Sequence, residues 1–189
     1  MKIILFNGPP RSGKDTAAEH VFHYLQAKKI TSFKYSFAQR LKESSHSLLG
    51  LYVAYDAFEH CKDTPQSRFM GLSPRQFYIK YSEQCIKPAF GKDFFGKCFV
   101  NFLENNILDT SDLTVIVSDC GFEEEVYPIV DAYGKDNVVV IQLERCGHDY
   151  SNDSRSYISY PGAKCFRVSN NESIEKFYEK IERIVDEVL

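Results

Sequence analysis

Residues Gly8-Pro9-Pro10-Arg11-Ser12-Gly13-Lys14-Asp15-Thr16 form a Gly-x4-Gly-Lys loop. The chemistry of this spacing is the binding of phosphate. Gly8 and Gly13 permit a tight turn and let the backbone approach an anion closely. The loop amides and the start of a following helix then direct positive partial charge at it. Lys14 reaches the β- and γ-phosphates of a nucleotide as a point charge. The residue after the lysine is usually Ser or Thr, whose hydroxyl meets Mg²⁺. Here it is Asp15, with Thr16 next. Either Asp15, directly or through water, or Thr16 can serve the metal.

A second carboxylate follows an apolar run. Leu113–Ser118 ends in Asp119, and a strand-end acid downstream of a phosphate loop is placed to hold Mg²⁺ or its water shell. Glu123, Glu124 and Glu125 read as an acidic first helical turn, favoured by the helix dipole. Phosphoryl transfer also needs cations on the moving and accepting phosphates. The candidates are Arg11, Arg40, Lys42, Arg75, Arg145 and Arg155. Arg75 follows Ser73-Pro74, a helix start that orients it, and Arg145 follows directly on an apolar strand. These two rank above Arg40 and Arg155. The histidines His20, His23, His46, His60 and His148 read as helix-surface or loop residues.

The elements that must position these groups alternate. Strands are expected at Lys2–Asn7, Ser32–Phe37, Leu113–Ser118, Asn137–Leu143 and Lys164–Val168. Helices are expected at Lys14–Lys28, Ala38–Leu49, Pro74–Lys87, Lys92–Leu108, Phe122–Tyr133 and Glu172–Val188. The third and fourth strands are apolar and β-branched, as buried parallel strands are. The alternation implies an α/β fold, a parallel sheet with helices on both faces. Ile174, Phe177, Ile181, Ile184, Val185 and Val188 form a core-facing stripe on the last helix. Leu51–Leu72 and Cys146–Gly162 break the alternation, and such excursions at strand carboxyl ends are where substrates are bound and covered.

With 189 residues, the chain is expected to form one domain with a sizeable core. A formal net charge of -3 gives no basic excess to argue for nucleic acid or an anionic membrane. No apolar run has the length of a membrane span. The short apolar N-terminus leads into the phosphate loop, which argues against a signal peptide. The six cysteines are scattered without a Cys-x2-Cys pair, so they are expected to be reduced, mostly buried thiols of a cytoplasmic protein without zinc. Cys120 stands apart because it adjoins Asp119.

At this point the chain resembles the deoxynucleoside monophosphate kinases of tailed bacteriophages, a branch of the phosphate-loop kinases. The similarity is carried by Arg11-Ser12-Gly13-Lys14-Asp15-Thr16, where Asp after Lys is a family habit. Ser36-Phe37-Ala38-Gln39-Arg40-Leu41-Lys42 follows. Then come Ser73-Pro74-Arg75-Gln76, Phe90-Gly91-Lys92-Asp93-Phe94-Phe95, and Val117-Ser118-Asp119 with Glu125. The resemblance implies a three-layer P-loop NTPase fold with a five-stranded parallel sheet, an acceptor-binding insertion at residues 50–90 and a lid-like segment at 146–162. It implies that Gly8, Arg11, Ser12, Gly13, Lys14, Asp15 and Thr16 hold ATP. Asp15, Thr16 and Asp119 would serve Mg²⁺. Lys42, Arg75 and Asp119 would bind a nucleoside monophosphate acceptor, and Lys14, Arg11, Arg75 and Arg145 would take part in transfer. The implied protein is cytoplasmic, in the host if viral, with neither nucleic acid nor membrane as partner and a homodimer left open. Two positions depart from the pattern. Gly121 replaces an arginine two residues after Asp119, and Asp153-Ser154-Arg155-Ser156 stands where the lid motif is expected. Arg155 or Arg11 could replace the missing cation.

Two other assignments compete. The Gly-Lys-Asp loop is also similar to that of animal-type phosphomevalonate kinase, whose acceptor is a small phosphorylated metabolite. Tyr52, Tyr55, Phe58, Phe69, Phe77, Tyr78 and Tyr81 favour a base-stacking acceptor site instead, although they suit a core equally. Gly121 supports a nucleotide-binding module without catalysis.

Overall fold

The computed structural model describes residues 1–107, 112–151, 153–160 and 162–189. The chain divides into two compact units, residues 1–36 with 95–189, and residues 37–94.

The first unit is built on a five-stranded, all-parallel sheet. Its strands are β1 (Lys2–Asn7), β2 (Ser32–Tyr35), β3 (Thr114–Val117), β4 (Val138–Glu144) and β5 (Lys164–Ser169), in the order β2-β3-β1-β4-β5. β1 is central, with Ile4 opposite Ile116 on one side and Val139 on the other. Successive side chains alternate between faces, so a strand covered on both sides must be apolar throughout. Ile3, Ile4, Leu5 and Phe6 are accordingly inaccessible, as are Val115 to Val117 and Val138 to Ile141.

Helix α1 (Lys14–Ala27) and the last helix, Ile174–Val188, cover one face. Ala17, Val21 and Leu25 meet Phe177, Ile181 and Val185 over Ile4, Phe6 and Ile141. This is the expected stripe, except that Ile174 stays exposed and Ile184 is half-buried. The other two helices of this unit cover the opposite face, at Phe94–Asn106 and α6 (Glu123–Tyr133). Phe99, Leu103, Val126 and Ile129 are fully buried there. In chain order α2 is Phe37–Leu48, α3 Pro74–Lys80, α4 Lys87–Phe90, α5 Phe94–Asn106 and α7 Ile174–Val188. No helix among the described residues is long and apolar enough to cross a membrane.

The second unit contains α2, two short 3-10 turns at Glu59–Cys61 and Ser67–Phe69, then α3, a π-helical stretch at Tyr81–Ile86, and α4. Its core is aromatic. Phe69 is inaccessible and stands edge-on to Phe58, Phe77 and Tyr78 at centroid distances of 5.0–5.7 Å.

Several expectations are corrected. The strand expected to reach Phe37 stops at Tyr35, because Phe37 already belongs to α2. The helix expected at Pro74–Lys87 is interrupted by the π stretch. Pro88 lacks an amide hydrogen and its ring crowds the carbonyl four residues back, and the wider turn accommodates it. The helix expected at Lys92–Leu108 begins at Phe94, while Leu108 lies outside the described residues. His46 is not a surface residue. It is 2% exposed, with its Nε2 2.8 Å from the Tyr78 hydroxyl and its buried Nδ1 without a hydrogen-bond partner among the described residues. All six cysteines are free, but only Cys120 is buried.

Candidate active site

β1 ends at Asn7, and the chain turns at once into the glycine loop and α1. Gly13 precedes α1 with φ 102°, a left-handed conformation that a side chain resists. A Cβ there would also lie 2.6 Å from the Asn170 amide nitrogen. Asn170 braces the loop on this side, its Nδ2 donating to the Ser12 carbonyl at 2.9 Å. On the other side the Arg145 guanidinium donates to the Arg11 carbonyl at 3.1 Å. Arg11 is itself at positive φ, 64°. Gly8 is crowded as well, because a Cβ would meet the Ser12 hydroxyl at 2.6 Å and the Leu143 carbonyl at 2.7 Å.

The loop frames a cleft of about 390 Å³ lined by Arg11, Gly13, Lys14, Asp15, Thr16 and Arg145. Lys14 folds back so that its ammonium donates to the Gly8 carbonyl at 2.6 Å and to Pro9 at 2.8 Å. Burial, then the charge of Arg155, lowers its pKa from 10.5 to about 8, against the opposing pull of Asp15, Asp119 and Asp153. Asp119 follows β3 and accepts from the Ser36 hydroxyl at 2.8 Å. Its influence on Lys14 puts the strand-end carboxylate in the electrostatic neighbourhood of the loop.

Among the described residues no cluster of three or more His, Cys, Asp or Glu could by itself hold a metal ion. A hard cation that keeps phosphate oxygens and waters as ligands needs only one or two carboxylates. Asp15 lines the cleft and Asp119 follows β3, the neighbour of β1, and these are the two carboxylates that would hold it.

The sequence-predicted residues divide between the units. Gly8, Arg11, Ser12, Gly13, Lys14, Asp15, Thr16, Asp119 and Arg145 belong to the first. Lys42 and Arg75 belong to the second, and each is already ion-paired there. Lys42 pairs with Glu59, and Arg75 Nε lies 2.6 Å from Asp63. Ser73 caps α3 as expected and forms a capping box with Gln76. Cys120 is fully buried, and burial followed by the charges of Glu125 and Asp119 raises its thiol well above the ordinary value. It is a packed thiol and no nucleophile. Glu125 is the one buried member of the acidic turn, accepting from Gly121 and Phe122 amides at 3.4 and 3.3 Å.

Asn7 is a site residue the sequence did not reveal. It is fully buried, and its two Nδ2 hydrogens are shared among Cys120 O at 3.0 Å, Ser156 O at 3.1 Å and Tyr150 Oη at 3.2 Å. Its Oδ1 accepts from Ile158 N at 3.2 Å. One amide thus joins the ends of β1 and β3 to the excursion between β4 and β5. Only a polar residue closing an otherwise apolar strand hinted at this.

The sheet order, the glycine loop after β1 and the carboxylate after β3 define a phosphate-loop α/β fold. No protein-family model matches the chain, and no curated protein matches it in sequence. Among solved structures, the chain is similar to the Mycobacterium tuberculosis APS kinase CysC in complex with AMPPNP and APS, at 13% identity and a TM-score of 0.53, covering 98% of this chain and 95% of that one. A cysteine-to-alanine mutant of the same APS kinase matches at 12% identity and a TM-score of 0.48, over 98% and 96% of the two chains. The likeness is one of fold.

Proposed function

We propose that this chain is an ATP- and Mg²⁺-dependent kinase that phosphorylates a nucleoside or deoxynucleoside monophosphate to the diphosphate. The observation that carries this is Lys14, a partly buried ammonium held on loop carbonyls at the edge of a cleft whose lining is the loop itself and Arg145. A similar fold belongs to a kinase solved with AMPPNP and APS, which supports a kinase reading.

Phosphate entering the cleft exchanges the two neutral carbonyl acceptors of Lys14 for anionic oxygens, so that both members of each bond carry charge. Arg145, tied to Arg11, adds a second cation on the same wall. Asp15, Thr16 and Asp119 would hold Mg²⁺, whose role is to neutralise charge on the phosphates. The acceptor's phosphate oxygen is already a nucleophile, so no general base is needed, and none is asked of the histidines. Lys42 and Arg75 are proposed for the acceptor, exchanging Glu59 and Asp63 for its phosphate. The insertion at 50–90 and the segment at 146–162 are proposed as acceptor-binding and covering parts.

A second acceptor class has one observation in its favour. Phe58, Phe69, Phe77 and Tyr78 pack on one another as core rather than forming an open slot for a base. Only Tyr52 and Tyr55 of the expected set are exposed large hydrophobics. This favours a small phosphorylated metabolite as the alternative.

The deciding measurement is ADP formation from ATP/Mg²⁺ with each common NMP and dNMP, and with phosphomevalonate. Turnover dependent on one NMP or dNMP, reduced by about 10²-fold or more in Lys14→Ala, is expected. Turnover with the metabolite alone would replace the nucleotide assignment, and ATP binding without any turnover would favour a binding module.

A further inference from the structure

Gly121 stands where the resembling kinases carry an arginine, and the space above it is filled by Arg155. A Cβ on Gly121 would lie 2.4 Å from Arg155 Cδ and 2.9 Å from Cγ. The glycine is therefore the seat of the arginine's aliphatic stem. Asp153 grips the guanidinium in a two-pronged pair, Nε to Oδ1 at 2.8 Å and Nη2 to Oδ2 at 2.5 Å. That pair uses one side of the fork. Nη1 has no hydrogen bond among the described residues, so both of its N–H groups remain for an anion.

The backbone around Arg155 is pinned. Asn7 binds the carbonyl of Ser156 and the amide of Ile158, Gln142 Nε2 donates to the Ile158 carbonyl, and Tyr157 donates to Leu143 O at 3.3 Å. Asn7 and Leu143 flank or underlie the glycine loop, so the same groups that shape the loop also set Arg155. The side chain of Arg155 is 27% exposed. It sits on Gly121, next to the Cys120 carbonyl that Asn7 binds, and Lys14 donates to the carbonyl of Gly8, the residue after Asn7. Lys14 rests on two loop carbonyls and Arg155, paired with Asp153, keeps Nη1, so the two cations can take one further occupant. That occupant is an anion with several oxygens.

We propose that Arg155 is an anion-binding residue of the phosphate site, with Gly121, Asn7 and Asp153 as its positioning residues. In this chain the cation comes from the β4–β5 excursion instead of the position two residues after Asp119. The ligand is the polyphosphate of a nucleoside triphosphate. The inference rests on the kinase reading only for the identity of that ligand, since binding can be measured without turnover.

The test is titration calorimetry of the full chain with AMPPNP·Mg²⁺ and with inorganic pyrophosphate·Mg²⁺. The proteins are wild type, Arg155→Ala, Arg155→Lys and Gly121→Ala, and ligand-free melting is recorded for each. Arg155→Ala is expected to weaken both ligands about 10-fold, the size of one lost charge-assisted contact, with Arg155→Lys in between. Gly121→Ala is expected to match Arg155→Ala although every charged residue is retained. Arg155→Ala affinities within about twofold of wild type would overturn the role of Arg155, and wild-type affinity in Gly121→Ala would overturn the seat. Loss of AMPPNP affinity without loss of pyrophosphate affinity would place Arg155 against the nucleoside and overturn its role at the polyphosphate. A wild type that binds AMPPNP but phosphorylates no acceptor removes the proposed function and leaves this comparison decisive. A wild type that binds neither ligand overturns both.

Discussion

Lys14 holds its positive charge against its surroundings. Burial, and then Arg155, bring its pKa to about 8 from 10.5. Between those two values the unfolded chain keeps a proton that the native lysine has lost. More protons on the unfolded state means that stability rises with pH across that window. Below about pH 8 the penalty is present in full. Lys14→Met should therefore raise the melting temperature of the ligand-free protein at pH 7 by a few degrees, at about 2–4 °C per kcal/mol relieved for a chain of this size. It should also flatten the rise between pH 8 and 10. Melting curves at pH 7, 8, 9 and 10 test this, and parallel pH profiles for the two proteins would refute it. The same substitution should abolish phosphate binding, because a site that is unfavourable for its own cation when empty is favourable once an anion arrives. Asn7 poses a different residue-scale test. Asn7→Leu leaves the Ile158 amide and the Cys120 and Ser156 carbonyls without this partner, and each buried orphan costs about 1–3 kcal/mol. Chemical denaturation should show a loss of several kcal/mol, with AMPPNP affinity reduced as well because Arg155 loses its support. A loss under about 1 kcal/mol would show that water replaces the amide.

At the scale of elements, α5 and α6 approach closely only because Gly96 has no side chain. A Cβ there would lie 2.1 Å from the Glu125 carbonyl oxygen and 2.7 Å from Pro128 Cγ. Backbone cannot give way as a flexible side chain can, so Gly96→Ala should cost about 1–3 kcal/mol and lower the melting temperature accordingly. An unchanged melting temperature would mean that the helices slide apart freely. That contact illustrates which parts of the fold were legible. Three of the five strands were readable because buried parallel strands must be apolar on both faces, and β1, β3 and β4 each carry an apolar run of three or four residues. The loop was readable because it is local, with Gly8, Gly13 and Lys14 at fixed spacing between a strand and a helix. The π stretch before α4 was not, since Pro88 signals a helix end and only packing decides whether the helix resumes beyond it. His46 misled because burial depends on Phe58, Phe69 and Tyr78, which lie at least a dozen residues away in the chain. The role of Asn7 was hidden for the same reason, its partners being spread over residues 120 to 158, whereas Arg155 was already a candidate cation and only its seat on Gly121 was not legible.

At the scale of the whole molecule, two compact units carry different groups of charged residues. The glycine loop, Asp119, Arg145 and Arg155 belong to the unit built on the sheet, and Lys42 and Arg75 belong to the unit with the aromatic core. If donor and acceptor binding are divided in this way, damage to the aromatic core should separate them. Phe69 is the residue to change, because it is inaccessible and touches His46, Phe58, Phe77 and Tyr78. Removing a fully buried phenyl ring costs about 3–5 kcal/mol, enough to open a unit of this size locally. Phe69→Ala should raise amide hydrogen exchange across residues 37–94 and abolish acceptor-dependent turnover. AMPPNP affinity should stay within about threefold of wild type, a change of less than 1 kcal/mol. Arg75→Ala is the milder counterpart. Its pair with Asp63 is solvent-exposed and contributes at most about 1 kcal/mol, so the fold should be unaffected while the acceptor KM rises about 10-fold, as loss of a charged contact predicts. If Phe69→Ala instead accelerates exchange uniformly and removes AMPPNP binding, the two units unfold as one. The division of labour would then have to be sought in the chemistry of individual residues rather than in the architecture.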